Sequence, residues 1–135
     1  MLRRLAGNAA DDLAQETFLA AWRSAASWRG EGSYFAWLAR IAWRKFLSSR
    51  RLDRPTAPLD EAAHLTVQPS APHRSAIDQA IGRLPDRERM AALLCFGQNC
   101  PHPEAAAIMG IPLGTLKSLV SRARTQLIHC LEDDQ

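Results

Sequence analysis

Residues 103–127 read PEAAAIMGIPLGTLKSLVSRARTQL and contain two helical patterns separated by a short break. Gly110 lies where a helix of this kind commonly ends on a left-handed residue. Pro112 then presets the backbone angle of a helix start. Two helices joined by a short, glycine-containing turn make a helix-turn-helix unit. The sequence therefore predicts such a unit, with a first helix over 103–109 and a second from about 113 to 131.

The second predicted helix has an apolar side and a polar side. Leu116, Ala123 and Leu127, with either Leu119 or Val120, repeat every three or four positions and are expected to face a core. The opposite side is polar and basic, which suits a recognition helix that bonds phosphates and base edges in the major groove of DNA. An ordinary amphipathic helix with a solvated basic face would show the same spacing, so the pattern alone leaves both interpretations open. The predicted outward residues are Thr115, Lys117, Ser118, Ser121, Arg122 and Thr125.

Composition narrows the class of protein. The chain has 135 residues, of which 47% are hydrophobic, but no apolar run approaches the ~20 residues that span a membrane. The first residues lack the apolar run of a signal peptide, so we expect a cytoplasmic protein without a membrane partner. No Ser/His/Asp arrangement, carboxylate pair or phosphate loop is visible, and the Cys and His residues lack zinc-site spacing. We therefore expect no enzyme activity, no cofactor, no metal site and no small-molecule substrate.

The chain divides into two helical blocks. Residues 54–74 contain four prolines and no sustained period, which is typical of a flexible linker. The predicted fold is all-α, with two small helical domains, 1–53 and 75–135, the second a four-helix domain that contains the helix-turn-helix. Residues 1–54 hold ten Lys/Arg against five Asp/Glu, a net of +5. This basic excess makes the first block a candidate phosphate-binding surface.

Local signals predict further features of the first block. Asp11 and Asp12 are placed near a helix start, where carboxylates complement the helix dipole. Leu13, Phe18, Leu19 and Trp22 follow at helical spacing and predict one apolar helix face. The next helix is expected to begin at a Ser33 cap.

The second block carries its own signals. Asp86, after Pro85, is predicted to cap a helix, and Asn99 is predicted to be a left-handed turn residue. Cys95 and Cys100 are expected to pack in the core as small hydrophobes. Redox sensing by these cysteines together with Cys130 is the alternative.

Four segments in order resemble one family. GIPLGTLKSLVSRARTQL (110–127) resembles the last helix of the second conserved region in bacterial extracytoplasmic-function (ECF) RNA polymerase sigma factors. RLPDRERMAALLCFGQNCPHPEAAAIM (83–109) resembles the three helices before it. ADDLAQETFLAAWR (10–23) resembles the polymerase-binding helix, and WRGEGSYFAWLARIAWRKFLSSRR (28–51) resembles the promoter-melting segment and the helix after it. Several motifs in the correct order are more specific than any one of them.

The resemblance implies a role for each block. The helix-turn-helix would read the −35 promoter element through Thr115, Lys117, Ser118, Ser121 and Arg122. The first block would bind core RNA polymerase, although core packing is the alternative for Leu19 and Trp22. The residues implied in that contact are Asp12, Gln15, Glu16, Leu19 and Trp22. The −10 element would be held as a single strand, with aromatics stacked on unpaired bases and arginines along the backbone. The residues implied there are Arg29, Tyr34, Trp37, Arg40, Trp43, Arg44 and Lys45.

The resemblance also implies partners and leaves competing interpretations. The leading interpretation is an alternative sigma factor that binds core polymerase and promoter DNA and is controlled by an anti-sigma factor. Family members usually carry a further helix before the position of Met1, so the first domain is expected to be incomplete. A sigma-like adaptor or decoy, which binds polymerase or an anti-sigma factor without supporting initiation, is therefore the second interpretation. A plain helix-turn-helix regulator does not explain the first block. The family's common arginine is replaced by Leu119, which should weaken phosphate contact.

Overall fold

The computed structural model of the chain describes residues 1–28, 30, 33–53 and 75–133, and this part is helical, as predicted. No helix in these ranges is both long and apolar enough to cross a membrane. The predicted linker, 54–74, and Arg29 lie outside the described residues. The helices are α1 (Leu2–Ala6), α2 (Ala10–Arg23), α3 (Tyr34–Asp53), α4 (Ala76–Gly82), α5 (Asp86–Ala92), α6 (His102–Met109) and α7 (Leu113–Asp133).

The predicted helix-turn-helix is confirmed. Helix α6 ends at Gly110, whose φ of 67° is the left-handed conformation that glycine adopts without strain. Helix α7 then begins at Leu113, directly after Pro112. Before this unit, a π-helical turn (Leu93–Gly97) extends α5, and Asn99 has the predicted left-handed backbone with a φ of 52°.

Helix starts follow the local signals at two of three positions. Asp11 and Asp12 lie in the first turn of α2, as predicted. The Ser33 hydroxyl accepts a hydrogen bond of 3.0 Å from the backbone N–H of Ala36, which confirms the cap before α3. The prediction that Asp86 caps α5 is wrong. Its carboxylate caps no backbone N–H and instead forms ion pairs with two arginines.

The prediction for the apolar face of α2 is correct only at Leu13. This helix packs against α1 and α3 through a narrow face of buried residues, which also includes Ala10, Thr17 and Ala21. Phe18, Leu19 and Trp22 lie outside this face and are exposed to solvent. Helical spacing identified the apolar residues but not the side that the neighbouring helices cover.

The core is continuous between the first half of the chain (residues 1–53) and the second half (residues 75–133). One cluster of buried side chains includes Leu13, Trp43 and Phe46 from the first half and Met90 and Leu94 from the second. Helix α1 packs against α4 and α5, and α3 packs against α6. The two halves therefore form a closed arrangement in which they contact each other directly.

A buried arginine lies at the centre of this arrangement. The Arg89 side chain is fully buried, and its Nη2 lies 2.6 Å from Oδ1 of Asp86. Its other nitrogens donate to the carbonyl oxygens of Leu84 (2.7 Å) and Leu5 (3.0 Å). Burial lowers the pKa of the Arg89 guanidinium, and the charge of Asp86 opposes that shift. The carboxylate of Asp86 also lies 3.3 Å from Nε of Arg50. Helices α1, α3 and α5 therefore meet at this buried ion pair.

Replacing Arg89 with alanine should lower the free energy of unfolding by about 3–5 kcal/mol, because it leaves the Asp86 carboxylate buried without its main partner. The matched control is Arg87→Ala, which removes an exposed arginine from the same helix and should change stability by less than about 0.5 kcal/mol. Urea denaturation followed by circular dichroism measures both values. Equal stabilities of the two variants would contradict the structural role of Arg89.

Candidate nucleic-acid interface

The outer face of α7 carries the residues predicted to contact DNA. Leu116, Leu119 and Ala123 are buried, and Val120 and Leu127 are partly buried, so both candidates for the fourth core position face inward. At about 100° per residue, hydroxyl-bearing side chains occupy the centre of the opposite face and cations flank it on both sides. All six residues predicted to point outward are exposed, namely Thr115, Lys117, Ser118, Ser121, Arg122 and Thr125.

One residue that the sequence analysis did not single out belongs to this surface. Arg124 is exposed and lies seven residues from Lys117, so the two share one flank of α7. The spacing could have shown this. On the other flank, Nη1 of Arg122 lies 3.7 Å from a carboxylate oxygen of Glu88 in α5. The distance is long and the Arg122 side chain is 62% exposed, which leaves the guanidinium able to exchange the carboxylate for a phosphate or a base.

A cluster of three aromatic rings surrounds the start of α3. The ring centroid of Trp28 lies 5.3 Å from that of Tyr34 and 6.1 Å from that of Trp37, and the Tyr34 and Trp37 centroids are 5.6 Å apart. Each ring is at least partly exposed. Gly30, between Trp28 and α3, has a φ of 78°, which favours glycine in this turn. The sequence analysis missed Trp28, which precedes α3 in sequence and joins the cluster through contacts with Tyr34 and Trp37.

The basic residues of α3 divide between two surfaces. Arg40 and Arg44 lie three and seven residues after Trp37, so the three side chains share one face of the helix. Both arginines are exposed. Lys45 lies on a different side and lines a groove with Leu19 of α2. The structure therefore brings Tyr34, Trp37, Arg40 and Arg44 together and separates Lys45 from them.

The prediction that Trp43 contacts DNA is wrong. Its indole is only 2% exposed and stacks on Phe46 within the core, with ring centroids 5.6 Å apart. It lies six residues after Trp37, about 120° around the helix, and is not part of the exposed aromatic cluster. The aromatic pattern of the sequence did not distinguish the two sides of this helix.

Helix α2 presents an apolar surface to solvent. Trp22 is 83% exposed, and Phe18 and Leu19 are 61% and 56% exposed. Contiguous exposed apolar residues with a polar rim mark interaction sites in soluble proteins. Core packing of Leu19 and Trp22, the alternative considered from the sequence, is excluded by this exposure. The residues predicted to bind polymerase, Asp12, Gln15, Glu16, Leu19 and Trp22, are all exposed.

The cysteines offer little support for redox sensing. Cys95 and Cys100 are free and partly buried, and burial raises the pKa of both thiols. The Glu104 carboxylate, 3.9 Å from Sγ of Cys100, raises the pKa of that thiol further. A raised pKa lowers the fraction of reactive thiolate at neutral pH. Across the described ranges, no three His, Cys, Asp or Glu side chains are grouped so that they could hold a metal ion.

Comparison with protein families matches both halves of the chain. Residues 1–55 match Sigma-70 region 2, and residues 74–127 match Sigma-70, region 4. The chain is 34% identical over 138 residues to the ECF RNA polymerase sigma factor EcfG of Rhodopseudomonas palustris, a match that covers 96% of this chain and 76% of that protein. It is 32% identical over 125 residues to the ECF RNA polymerase sigma factor SigM of Mycobacterium tuberculosis, covering 90% of this chain but only 64% of the relative.

Two solved structures share the fold. The sigma factor RpoE of Bartonella quintana, in complex with the anti-sigma factor NepR, superimposes with a TM-score of 0.81 at 28% identity and covers 99% of this chain and 89% of that one. CnrH in complex with the cytosolic domain of CnrY has a TM-score of 0.66 at 23% identity, covering 97% of this chain and 76% of that one.

The two matched regions define a sigma-70 family protein, which is a class of transcription regulator. Within that family, the chain belongs to the ECF RNA polymerase sigma factors.

Alkylation tests the state of the two partly buried thiols. In a Cys130→Ser variant, Cys95 and Cys100 should react with iodoacetamide at pH 7.5 more slowly than free cysteine does. Their pKa values are raised, so the reaction rate should still be rising above pH ~8.5, where free cysteine is half ionised. The same variant in 6 M guanidinium chloride is the control and should react like free cysteine. Fast alkylation of the folded variant at pH 7.5 would restore the redox interpretation.

Proposed function

We propose that this chain binds core RNA polymerase and directs promoter recognition and transcription initiation as an ECF sigma factor. The observation that carries the proposal is the presence in one chain of two surfaces suited to DNA, the outer face of α7 and the aromatic cluster beside Arg40 and Arg44. Duplex DNA suits the first surface and unpaired bases suit the second. Melting would be driven by the binding energy of extruded bases, so the proposed role is non-enzymatic, needs no cofactor and belongs in the cytoplasm.

We further propose a division of labour along the chain. Residues 1–53 would contact polymerase and the −10 element, residues 75–135 would read the −35 element, and residues 54–74 would connect them. This division agrees with the limits of the two family matches, 1–55 and 74–127.

Reading of the −35 element is assigned to the outer face of α7. Thr115 and the N-terminus of this 21-residue helix would bond a phosphate. Lys117, Ser118, Ser121 and Arg122 would reach base edges in the major groove. Leu119 is buried against the core, so in this chain its position supports packing rather than phosphate contact.

Capture of the −10 element is assigned to the start of α3. The exposed faces of Tyr34 and Trp37, supported by Trp28, would stack on unpaired bases. Arg40 and Arg44 would follow the phosphate backbone along the same side of the helix. Arg29 remains a proposed contact, although it lies outside the described residues. Lys45 faces the groove beside α2, so any DNA contact by Lys45 would be made from a second direction.

Polymerase binding is assigned to the exposed side of α2. Trp22, Leu19 and Phe18 supply apolar area, and Asp12, Gln15 and Glu16 supply a polar rim. Exposed tryptophans at the centre of such patches commonly dominate binding energy. We also propose an anti-sigma partner for this chain, because the similar Bartonella sigma factor was solved in complex with one.

Trp22→Ala should weaken binding to core RNA polymerase by at least about 30-fold, which corresponds to the ~2 kcal/mol of an interface hot spot. Stability should change little, since the side chain is 83% exposed. Ile128→Ala is the matched control, because it removes a half-exposed apolar side chain from α7, outside the proposed polymerase surface. Fluorescence titration of labelled protein with core polymerase measures the affinities of both variants. Equal affinities of the two variants would remove α2 from the polymerase contact.

Run-off transcription distinguishes the sigma-factor interpretation from the adaptor or decoy interpretation. Core polymerase with this chain should produce transcripts from genomic fragments of the source bacterium that core polymerase alone does not produce. Trp37→Ala should reduce these transcripts without reducing polymerase binding, because it removes a stacking surface and leaves α2 intact. Polymerase binding without any promoter-dependent transcript would favour the adaptor or decoy.

A further inference from the structure

The cations on the outer face of α7 differ in their surroundings. Nη1 of Arg122 lies 3.7 Å from Oε1 of Glu88 in α5. Lys117 and Arg124 are also exposed, but neither forms an ion pair within the described ranges. One guanidinium is therefore restrained by a carboxylate, while the other two cations on the same surface are unrestrained.

Glu88 is the fixed member of this ion pair. Its side chain is only 10% exposed, against 62% for Arg122, and it lies in the first turn of α5. Helix α5 packs along α7, and the buried pair of Arg89 and Asp86 anchors α5 itself. Packed side chains occupy few rotamers, so the carboxylate stays in place and the exposed guanidinium orients towards it.

The contact orients Arg122 without occupying its donors. A distance of 3.7 Å is too long for a hydrogen bond, so all N–H groups of the guanidinium remain available. The planar fork of an arginine matches O6 and N7 of guanine in the major groove. An arginine that is already directed loses less conformational entropy when it makes such a bidentate contact.

The charge of Glu88 also discriminates between the two kinds of acceptor that DNA offers. A phosphate beside Arg122 would place a second negative charge close to the carboxylate, and the two would repel each other. The O6 and N7 atoms of guanine belong to a neutral base, so this repulsion is smaller. A repulsive element set against the competing contact is a general source of specificity. Glu88 therefore favours a base over a phosphate as the partner of Arg122.

We propose that Glu88 is a positioning residue, which directs Arg122 to a guanine in the major groove and keeps it off the phosphate backbone. This inference rests on the proposed function, because it requires the outer face of α7 to lie against duplex DNA. It adds that the −35 element of this chain contains a G·C base pair opposite Arg122. A residue outside the recognition helix sets that preference.

The test uses variants of the full chain. Glu88→Gln removes the charge and keeps the shape of the side chain, Arg122→Ala removes the base contact, and a double variant combines both changes. The matched control is Glu132→Gln, which makes the same change in charge at an exposed residue near the end of α7. Circular dichroism verifies folding. If Glu88→Gln does not fold, Glu88→Leu replaces it, because leucine fills the same buried site with an apolar side chain.

The first readout is the salt dependence of binding to a duplex of fixed, non-promoter sequence, measured by fluorescence anisotropy without polymerase. Each neutralised phosphate adds about 0.9 to the slope of log affinity against log salt concentration. Glu88→Gln should steepen this slope by about 0.9 relative to Glu132→Gln, because the released Arg122 then contacts a phosphate. The double variant should lose the increase. A purely structural role of Glu88 would not steepen the slope.

The second readout is base preference in run-off transcription with core polymerase. The template is a transcribed promoter fragment whose upstream base pairs are changed one at a time. The wild type and Glu132→Gln should prefer G·C at one position by about tenfold, which is within the range of a bidentate contact. Arg122→Ala should abolish this preference, and Glu88→Gln should lose most of it. The double variant should match Arg122→Ala, because Glu88 acts only through Arg122.

Several results would overturn the positioning role. They are a base preference that survives Glu88→Gln or Arg122→Ala, additive effects of the two substitutions, and a salt slope of Glu88→Gln equal to that of Glu132→Gln. Absence of any promoter-dependent transcript from the wild type would instead count against the proposed function. The salt slope would then still decide whether Glu88 directs Arg122, since it is measured without polymerase.

Discussion

The buried pair between Arg89 and Asp86 is the interaction on which the described structure depends. A guanidinium without solvent contact is stable only if its donors are satisfied, and Arg89 meets this need with one carboxylate and two backbone carbonyls. These partners come from α1, from the turn before α5 and from α5 itself. Because Asp86 also faces Arg50 at the end of α3, the position of α5 is fixed relative to the first half of the chain.

Helix α5 in turn supports the recognition helix. Helix α7 packs along α5, and Glu88 in α5 lies against Arg122 on the edge of the outer face. The same short helix thus holds the proposed DNA-reading surface on one side and contacts the first half on the other. This arrangement gives a physical connection between the packing of the two halves and presentation of the proposed DNA contacts.

Local signals in the sequence were sufficient for the helix-turn-helix. The glycine at position 110, the proline at 112 and the apolar repeat of α7 each depend on backbone preference or on one helix alone, and the structure agrees with all three. Asp86 shows where local reasoning fails, because its cap role was displaced by charges from residues 36 positions before it and 3 positions after it. Partners that are distant in sequence cannot be found from helical spacing.

The proposed contact surfaces were harder to predict than the core for a related reason. Trp22 and Trp43 both recur at helical spacing with apolar neighbours, yet one is exposed and the other is buried. An exposed apolar face for a partner and a buried face for the core produce the same pattern until the neighbouring helices are known. The resemblance assigned Trp22 to a partner surface, which its exposure supports, and assigned Trp43 to DNA, which its burial contradicts.

The central claim is that the buried pair of Arg89 and Asp86 holds the two halves of the chain together. Energy transfer between dyes at Arg51→Cys and Gln126→Cys, in a background with the three native cysteines changed to serine, measures the separation of the halves directly. The account predicts high transfer in this background and a large decrease when Arg89→Ala is added. High transfer that persists in a folded Arg89→Ala variant would contradict it.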